Sequence, residues 1–333
     1  MSIILSKDYW RCPVCRESLK KSGNSYLCEK NHCFDIAKSG YVNLILSNKS
    51  LHGDDKKMVM ARHAFLNSGY YKILCDSLCD SVKSVLESNS IILDAGCGEC
   101  YYTSAVSKAC PGTDVLGIDL SKDALIAGRK RNTKLLLAAA SVYDVPVADE
   151  STDIVISVFA PMASEEFRRI LKKKGILIRV IPLARHLFGM KRILYDNPYE
   201  NEEEREVPIG FELMSERQVR SEIHLLQKEI VSLFEMTPYF YRTNKRGRER
   251  LYSVDSLDTE IEFISILDLA EGMKAEKAYI YGGSYFTRYA KKADTLNNLL
   301  VNTEETPLSS HPEFLPEVEG DKRKNIVGIW TPP

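Results

Sequence analysis

Between residues 91 and 182 the sequence alternates short apolar runs with polar or amphipathic segments, and this alternation constrains the fold more than any other feature. The runs IILDA, DVLGID, KLLLAAA, STDIVISV and GILIRVIP are rich in β-branched or aliphatic residues. Strands that alternate with helices predict an α/β domain built on a doubly wound parallel sheet. In that fold, ligands bind beyond the carboxyl ends of the strands.

The first of these strands leads through the phrase LDAGCGE into a predicted helix. In the dinucleotide fingerprint G-x-G-x-x-G the third glycine permits close helix–strand packing, but here Tyr101 occupies that position. The pattern D-x-G-x-G formed by Asp94, Gly96 and Gly98 therefore favours S-adenosylmethionine, which has no phosphates, over NAD or FAD. The two glycines let the backbone approach this ligand without a Cβ.

An acid follows at the end of the second strand. Asp119 lies 21 positions after Gly98, and its carboxylate can accept hydrogen bonds from both hydroxyls of a ribose. Together with the glycine turn and three further strands, it predicts a Rossmann-like, S-adenosylmethionine-dependent methyltransferase domain. The alternative is an α/β domain in which the glycine turn is only structural.

The segment CPVCRESLKKSGNSYLCEKNHC near the start of the chain has the spacing of a metal site. Cys12 and Cys15 form a CxxC turn, and Cys28 precedes His32 and Cys33. Soft sulfur and nitrogen ligands in two pairs are typical of a structural zinc ribbon, which is too short to fold on apolar burial alone. His32 is the favoured fourth ligand, and the adjacent Cys33 is the alternative.

The composition restricts the setting and the partners. No apolar run approaches the ~20 residues that span a bilayer, and the start MSIILSKDYW lacks a cleavage-site pattern, so we expect a cytoplasmic protein without a membrane partner. Nine cysteines, an odd number, argue against a disulfide framework. The net charge is only −1, but Lys20–Lys21 and the segment 242–250 are locally basic. They are candidates for contacts with RNA backbone, with a solvated charged face as the alternative.

The ribbon occurs together with FDIAKSGYVNL, ARHAFLNSGYY and LDAGCGECYYT. In this combination the chain resembles the bacterial 23S rRNA (guanine-N1)-methyltransferase family over roughly residues 9–266. The resemblance implies methylation of N1 of a guanine in hairpin 35 of 23S rRNA, of the guanine-745 type, with the ribbon taking part in rRNA recognition. The neighbouring guanine 748, in a branch tied to macrolide resistance, is the alternative.

Matching motifs carry the family's site residues onto this chain. They place the cofactor contacts on Tyr71, Gly98, Glu99 and His186, and zinc on Cys12, Cys15, Cys28 and His32. Glu99 would hold the methionine amine, and no general base is assigned. Phe159, at the end of the fourth strand, would either stack on the guanine or belong to the core.

Two departures from the family pattern stand out. Cys100 replaces a common glycine, and KKKG at residues 172–175 replaces a common KPGG. We expect neither change to abolish cofactor binding.

The sequence thus predicts a zinc ribbon over residues 1–46, a linker and helix over 47–70, and a methyltransferase domain over 71–266. An extension of unknown role follows over 267–333, and its tyrosine-rich part is expected to be partly ordered by its aromatic residues. One rival is a small-molecule methyltransferase, which would have little use for a ribbon. A second is a non-catalytic zinc-ribbon RNA-binding protein, which the intact glycine turn and Asp119 argue against. A homodimer, in which two ribbons share one RNA, is a further hypothesis.

Overall fold

The computed structural model describes residues 8–46 and 53–271, and the expectations for the tail beyond residue 271 lie outside this range. Three short strands near the amino terminus form an antiparallel sheet in the order β1-β2-β3. They are β1 (Lys20–Ser22), β2 (Ser25–Leu27) and β3 (Cys33–Asp35). This small sheet carries the cysteine pattern of the predicted ribbon.

An eight-stranded mixed sheet forms the body of the described chain. Its strands are β4 (Tyr41–Asn43), β5 (Ile91–Ala95), β6 (Asp114–Asp119), β7 (Leu136–Ala139), β8 (Thr152–Val158), β9 (Leu171–Pro182), β10 (Phe211–Leu226) and β11 (Ser256–Ala270). Their order across the sheet is β10-β11-β9-β8-β5-β6-β7-β4. The strands from β9 to β4 pair in parallel, while β11 is antiparallel to both β9 and β10.

The five strands predicted between residues 91 and 182 are all present and parallel. The chain passes from β7, on one side of β5, to β8 on the other side, so the strand order reverses between β5 and β8. A reversal of this kind opens a crevice at the carboxyl ends of the two strands, where ligands bind. The Rossmann-like α/β fold is confirmed, and β4, β10 and β11 are additions that the sequence did not predict.

The structure differs from the sequence prediction at the start of the fifth strand. The run GILIRVIP begins at Gly175, but residues 172–174 also belong to β9. Lys174, at φ +64°, and a register shift opposite Thr152–Ile154 make this segment an irregular part of the strand. The large sheet also extends beyond residue 266, the predicted end of the methyltransferase domain, because β11 ends at Ala270.

Nine helices lie in the described ranges. They are α1 (Lys56–Asn67), α2 (Lys72–Val85), α3 (Tyr101–Ala109), α4 (Lys122–Arg131), α5 (Ser164–Ile170), α6 (Phe188–Leu194), α7 (Gln227–Glu235), α8 (Tyr239–Arg242) and α9 (Lys245–Tyr252). The side chains of Asp55 and Ser121 cap the first turns of α1 and α4 by accepting backbone N–H groups. Among these helices there is none with the length and apolar character needed to cross a membrane.

The two faces of the large sheet carry separate hydrophobic cores. Ile92 and Ile154 point to one face, where they pack with residues of α1, α2 and α7. Leu93 and Val155, the next residues along each strand, point to the opposite face. Successive strand residues alternate in this way because the backbone is pleated, and their apolar character on both faces explains the continuous apolar runs in the sequence.

The ribbon shares the second of these cores. Trp10, only 2% exposed, lies in one cluster with Leu19 of the ribbon and with Leu116 and Val155 of the large sheet. The N–H of Arg11 donates to the carbonyl of Pro146 at 2.8 Å. In addition, β4 lies within the range assigned to the ribbon but pairs with β7 as an edge strand of the large sheet. The ribbon is therefore built into the sheet.

Candidate cofactor and metal sites

The four predicted metal ligands converge at one end of the ribbon. The ligand atoms of Cys12, Cys15, Cys28 and His32 all lie within 4.8 Å of one another. The sulfurs of Cys15 and Cys28 are 3.6 Å apart, and His32 Nδ1 is 3.3 Å from the sulfur of Cys28. Cys33, the alternative fourth ligand, is exposed, lies in β3 and is not part of this cluster.

This donor set fits a zinc ion. Two sulfurs bound at about 2.3 Å to a tetrahedral zinc lie about 3.8 Å from each other, close to the separation of Cys15 and Cys28. Three thiolates and one imidazole would fill all four positions of the tetrahedron. A zinc held in this way stabilises the ribbon and has no open position for a substrate.

The glycine turn lies at the carboxyl end of β5, at the point where the strand order reverses. Gly96 and Gly98 both have positive φ angles, +83° and +52°. A Cβ on Gly98 would make one van der Waals contact, at 3.9 Å from Nη1 of Arg62. The backbone at this position is therefore loosely covered, by the end of one long side chain. Cys100, at φ +60°, directly precedes α3.

Asp119, at the carboxyl end of β6, binds the turn directly. Its Oδ2 accepts the N–H of Gly98 at 2.9 Å, and its Oδ1 accepts the N–H of Ser121 at 2.7 Å. A carboxylate has about four lone-pair sites, so these two bonds leave acceptors for the two hydroxyls of a ribose. Burial raises the pKa of Asp119, and the N–H groups of Ser121 and Gly98 oppose that shift.

Asp94 lies beneath the turn. It is 2% exposed, and its Oδ2 accepts a hydrogen bond from the hydroxyl of Thr103 at 2.5 Å. Burial raises its pKa to about 7, while the Thr103 hydroxyl acts in the opposite direction. The hydrogen bond between Thr103 and Asp94 therefore joins α3 to the end of β5.

Glu99 is buried behind the turn in a group of polar side chains. Its carboxylate accepts from Arg131 at 2.6 Å and contacts His63 Nδ1 at 2.7 Å. The other ring nitrogen of His63 is 2.9 Å from the side-chain amide of Asn67. Helices α1 and α4 thus fix the position of this carboxylate from two sides.

Tyr71 and His186 meet on the far side of the crevice, although 115 positions separate them in the sequence. The N–H of Glu262 donates to Nδ1 of His186 at 3.3 Å, which leaves the ring proton on Nε2, 3.3 Å from the hydroxyl of Tyr71. Burial lowers the pKa of His186 to about 3. The imidazole is therefore neutral near pH 7, and its low pKa makes it a weak general base.

Phe159 extends this aromatic group toward solvent. Its side chain is 44% exposed, and its ring lies within 14° of parallel to the ring of His186 at a centroid distance of 6.4 Å. The residue has φ +53°, a conformation that is rare for a bulky side chain. The neighbouring Ala160 packs against Gly96. A Cβ added to Gly96 would come within 2.6 Å of the Cβ of Ala160. Phe159 therefore lies beside the cofactor turn.

The sequence did not identify two residues in front of the turn. Asp54 and Arg62 form an ion pair there. The only sequence feature that pointed to Arg62 is its place in the phrase ARHAFLNSGYY. Asp54 lies in a polar segment that was assigned to a linker.

Comparison with known proteins identifies two domain families in the chain. Residues 10–50 match the family described as "RlmA, N-terminal", a zinc ribbon, and residues 93–179 match a methyltransferase domain family. The chain therefore carries a methyltransferase domain, which uses S-adenosylmethionine, and a zinc ribbon. The methyltransferase domain makes this chain an enzyme.

Three relatives show how far the similarity extends. YxjB of Bacillus subtilis, provisionally named a 23S rRNA (guanine-N1)-methyltransferase, is 32% identical over 80% of this chain and 97% of its own length. A Micromonospora griseorubida protein with the same provisional name is 30% identical over 70% of this chain and 87% of its own. The 23S rRNA (guanine(748)-N1)-methyltransferase of Streptomyces fradiae is 34% identical over 54% of this chain and 65% of its own.

Proposed function

The chain belongs to the 23S rRNA (guanine-N1)-methyltransferase family, and on that premise we propose that it methylates N1 of a guanine in hairpin 35 of 23S rRNA. The observation that carries the proposal is the similarity to YxjB over 80% of this chain and 97% of its own length, in a chain that matches both the ribbon family and the methyltransferase family. A small-molecule enzyme would not need the ribbon.

The cofactor supplies an electrophilic methyl group on a sulfonium. Asp119 would hold the ribose hydroxyls, and the turn from Gly96 to Gly98 would pass close to the methionine part. Tyr71 and His186 would line the opposite side of the crevice. Alignment of two reactants in this way can lower a barrier by ~7–11 kcal/mol.

The guanine has to be unpaired when it reacts, because N1 takes part in Watson–Crick pairing. N1 also loses its proton, and the neutral His186 does not accept it at pH 7. The exposed face of Phe159 lies beside the cofactor turn and is suited to stacking on a base that leaves its helix. In this proposal the protein positions the base and excludes water from it.

Part of the basic segment is free to contact RNA backbone. Arg248 donates to the carbonyl of Thr243 at 3.0 Å and Arg250 to that of Leu194 at 2.9 Å, so both hold the local structure. The exposed side chains are Arg242, Lys245 and Arg246, on α8 and α9. In the ribbon, Lys20 and Lys21 are exposed as well. Such cations position an RNA without reading its sequence.

Two neighbouring guanines of the hairpin are candidate targets. Guanine 745 is the first candidate, although the sequence alone does not separate it from its neighbour. Guanine 748 is the second candidate, because the Streptomyces fradiae relative is named for that position.

A methylation assay tests the proposal. Purified protein is incubated with labelled S-adenosylmethionine and unmodified 23S rRNA, and the product is mapped by primer extension. We expect a stop in hairpin 35, since a methyl on N1 blocks base pairing, and its position identifies the guanine. Cofactor binding without labelling of any RNA would contradict the proposal and favour a non-catalytic RNA-binding protein. The homodimer stays a prediction, which the molar mass in solution would test.

A further inference from the structure

Arg62 projects from α1 into the space in front of the glycine turn. Its Nη1 contacts the carboxylate of Asp54 and lies 3.9 Å from the position of a Cβ on Gly98. Its Nη2 donates to the carbonyl of Met236 at 3.1 Å, which fixes the plane of the guanidinium. Burial lowers the pKa of Arg62, and the carboxylates of Asp119 and Glu99 oppose that shift. The guanidinium therefore lies among the acids of the cofactor site.

Asp54 is held over the same edge of the sheet. Its carbonyl accepts the hydroxyl of Ser121 at 2.7 Å, and Ser121 also donates its N–H to Asp119. Gly53 makes this approach feasible, because a Cβ there would come within 2.6 Å of the backbone nitrogen of Ser121. Asp55 then caps α1 through the N–H of Met58. These bonds hold Asp54 against Ser121, whose N–H in turn binds Asp119, the predicted ribose acceptor.

The charges of this pair match one part of the cofactor. The α-amino acid end of S-adenosylmethionine carries an ammonium and a carboxylate on the same carbon. Glu99, expected to hold the amine, is already bound to Arg131. Asp54 offers a second carboxylate for the ammonium, and Arg62 offers the cation that the ligand carboxylate needs. When the zwitterion enters between them, Asp54 replaces its contact with Arg62 by one with the ligand ammonium. Arg62 likewise replaces its contact with Asp54 by one with the ligand carboxylate, so neither side chain is left unpaired.

We propose that Asp54 and Arg62 form a clamp for the zwitterionic amino acid end of the cofactor, the ammonium lying against Asp54 and Glu99 and the carboxylate against Arg62. The inference deepens the proposed function but rests only on its cofactor, not on its RNA substrate. It predicts that the chain discriminates between adenosyl ligands by the presence of this end.

Two ligands isolate the contribution of the clamp. S-adenosylhomocysteine keeps the amino acid end, and 5′-methylthioadenosine lacks it, while both keep the adenosine. Their dissociation constants are measured by calorimetry for the wild type, for Arg62→Met, and for Lys57→Met as a control that removes a cation from the same helix. We expect Arg62→Met to weaken S-adenosylhomocysteine about 10- to 100-fold, with methylthioadenosine changed less than about 3-fold. Lys57→Met leaves both constants unchanged.

Equal losses for the two ligands, or no loss for S-adenosylhomocysteine, would overturn the clamp. Should Arg62→Met not fold, Asp54→Asn supplies the same comparison through the ammonium, and equal losses there would also overturn it. Wild-type protein that binds neither ligand would contradict the cofactor site itself. Selective binding without methylation of rRNA would contradict the proposed function and leave the clamp intact.

Discussion

The N–H of Gly98 donates a 2.9 Å hydrogen bond to Oδ2 of Asp119, so the glycine turn after one strand is fixed by the acid at the end of the next. A glycine of the predicted cofactor turn and the acid predicted to accept the ribose hydroxyls therefore share one hydrogen bond. A change at either residue is expected to affect both parts of the site.

Gly98→Ala should weaken cofactor binding more than it weakens the fold. The residue has φ +52°, where alanine costs about 1–2 kcal/mol, and its Cβ would enter the cofactor space. Gly23→Ala is a matched control, since Gly23 has φ +60° with nothing within 4 Å of its Cβ position. We expect similar losses of unfolding free energy, but at least about a 10-fold loss of S-adenosylhomocysteine affinity only for Gly98→Ala. Equal affinities in the two variants would contradict the placement of the cofactor at this turn.

Zinc content should depend on His32 and not on Cys33. Elemental analysis is expected to give about one zinc per chain for the wild type and for Cys33→Ser, and a clear loss for His32→Ala. Because Trp10 lies in one core with Leu116 and Val155, chelation should lower the melting temperature of the whole described body in one transition. Retention of zinc by His32→Ala with loss in Cys33→Ser would make Cys33 the ligand.

Asp94 should make stability depend on pH in an unusual direction. Its pKa is raised from 3.8 to about 7 in the folded state, chiefly by burial. Between these values the folded chain binds the proton and the unfolded chain does not, so this group's contribution to stability falls as pH rises from about 4 to 7, by up to about 1.4 kcal/mol per pH unit. Asp94→Asn keeps an acceptor for Thr103 and removes the titration.

The measurement compares denaturant unfolding of the wild type and Asp94→Asn at several pH values. The difference in unfolding free energy should favour the wild type increasingly toward pH 4. Titration of all other groups, and loss of zinc in acid, are common to both proteins and cancel. A difference that does not vary with pH would show that Asp94 stays ionised.

The exposed cations of α8 and α9 should contribute to RNA binding through charge alone. Replacing Arg242 or Arg246 by alanine is expected to weaken binding to a hairpin 35 RNA and to lower the slope of log K against log salt by about 0.7–0.9 for each lost phosphate contact. Affinity for S-adenosylhomocysteine should not change. Lys108→Ala, an exposed lysine of α3, serves as the control. An unaltered salt slope in all three variants would place the RNA on another surface.

The sequence predicted the parts of the structure that follow from local pattern. Five parallel strands were found because both faces of the sheet are buried, which makes each strand a continuous apolar run. By contrast, β10 is a long edge strand with mostly exposed side chains, and the apolar alternation at Phe211, Val219, Ile223 and Leu225 is interrupted by polar residues, which weakens its signal. The strand β4 is three residues long, too short for any pattern.

The site was predictable where a motif occupies neighbouring positions, as in Asp94, Gly96 and Gly98. Contacts between distant segments were not. The pairing of Asp54 with Arg62 depends on how segment 53–55 crosses the sheet edge at Ser121. The neutral state of His186 depends on its burial beside Phe263, which lies in β11 at a centroid distance of 4.6 Å. Neither the burial of His186 nor its hydrogen bond with Glu262, 76 residues away, can be inferred from one histidine in a sequence.

The shared core of the ribbon and the large sheet affects how the protein would select one guanine of the hairpin. The bond from Arg11 to Pro146 and the packing of Trp10 attach the ribbon to the large sheet. If the ribbon grips the hairpin as proposed, this packing sets the distance from that grip to the glycine turn. The choice between two guanines of one hairpin then becomes a matter of length along the RNA, since both bases present the same N1 to the same crevice.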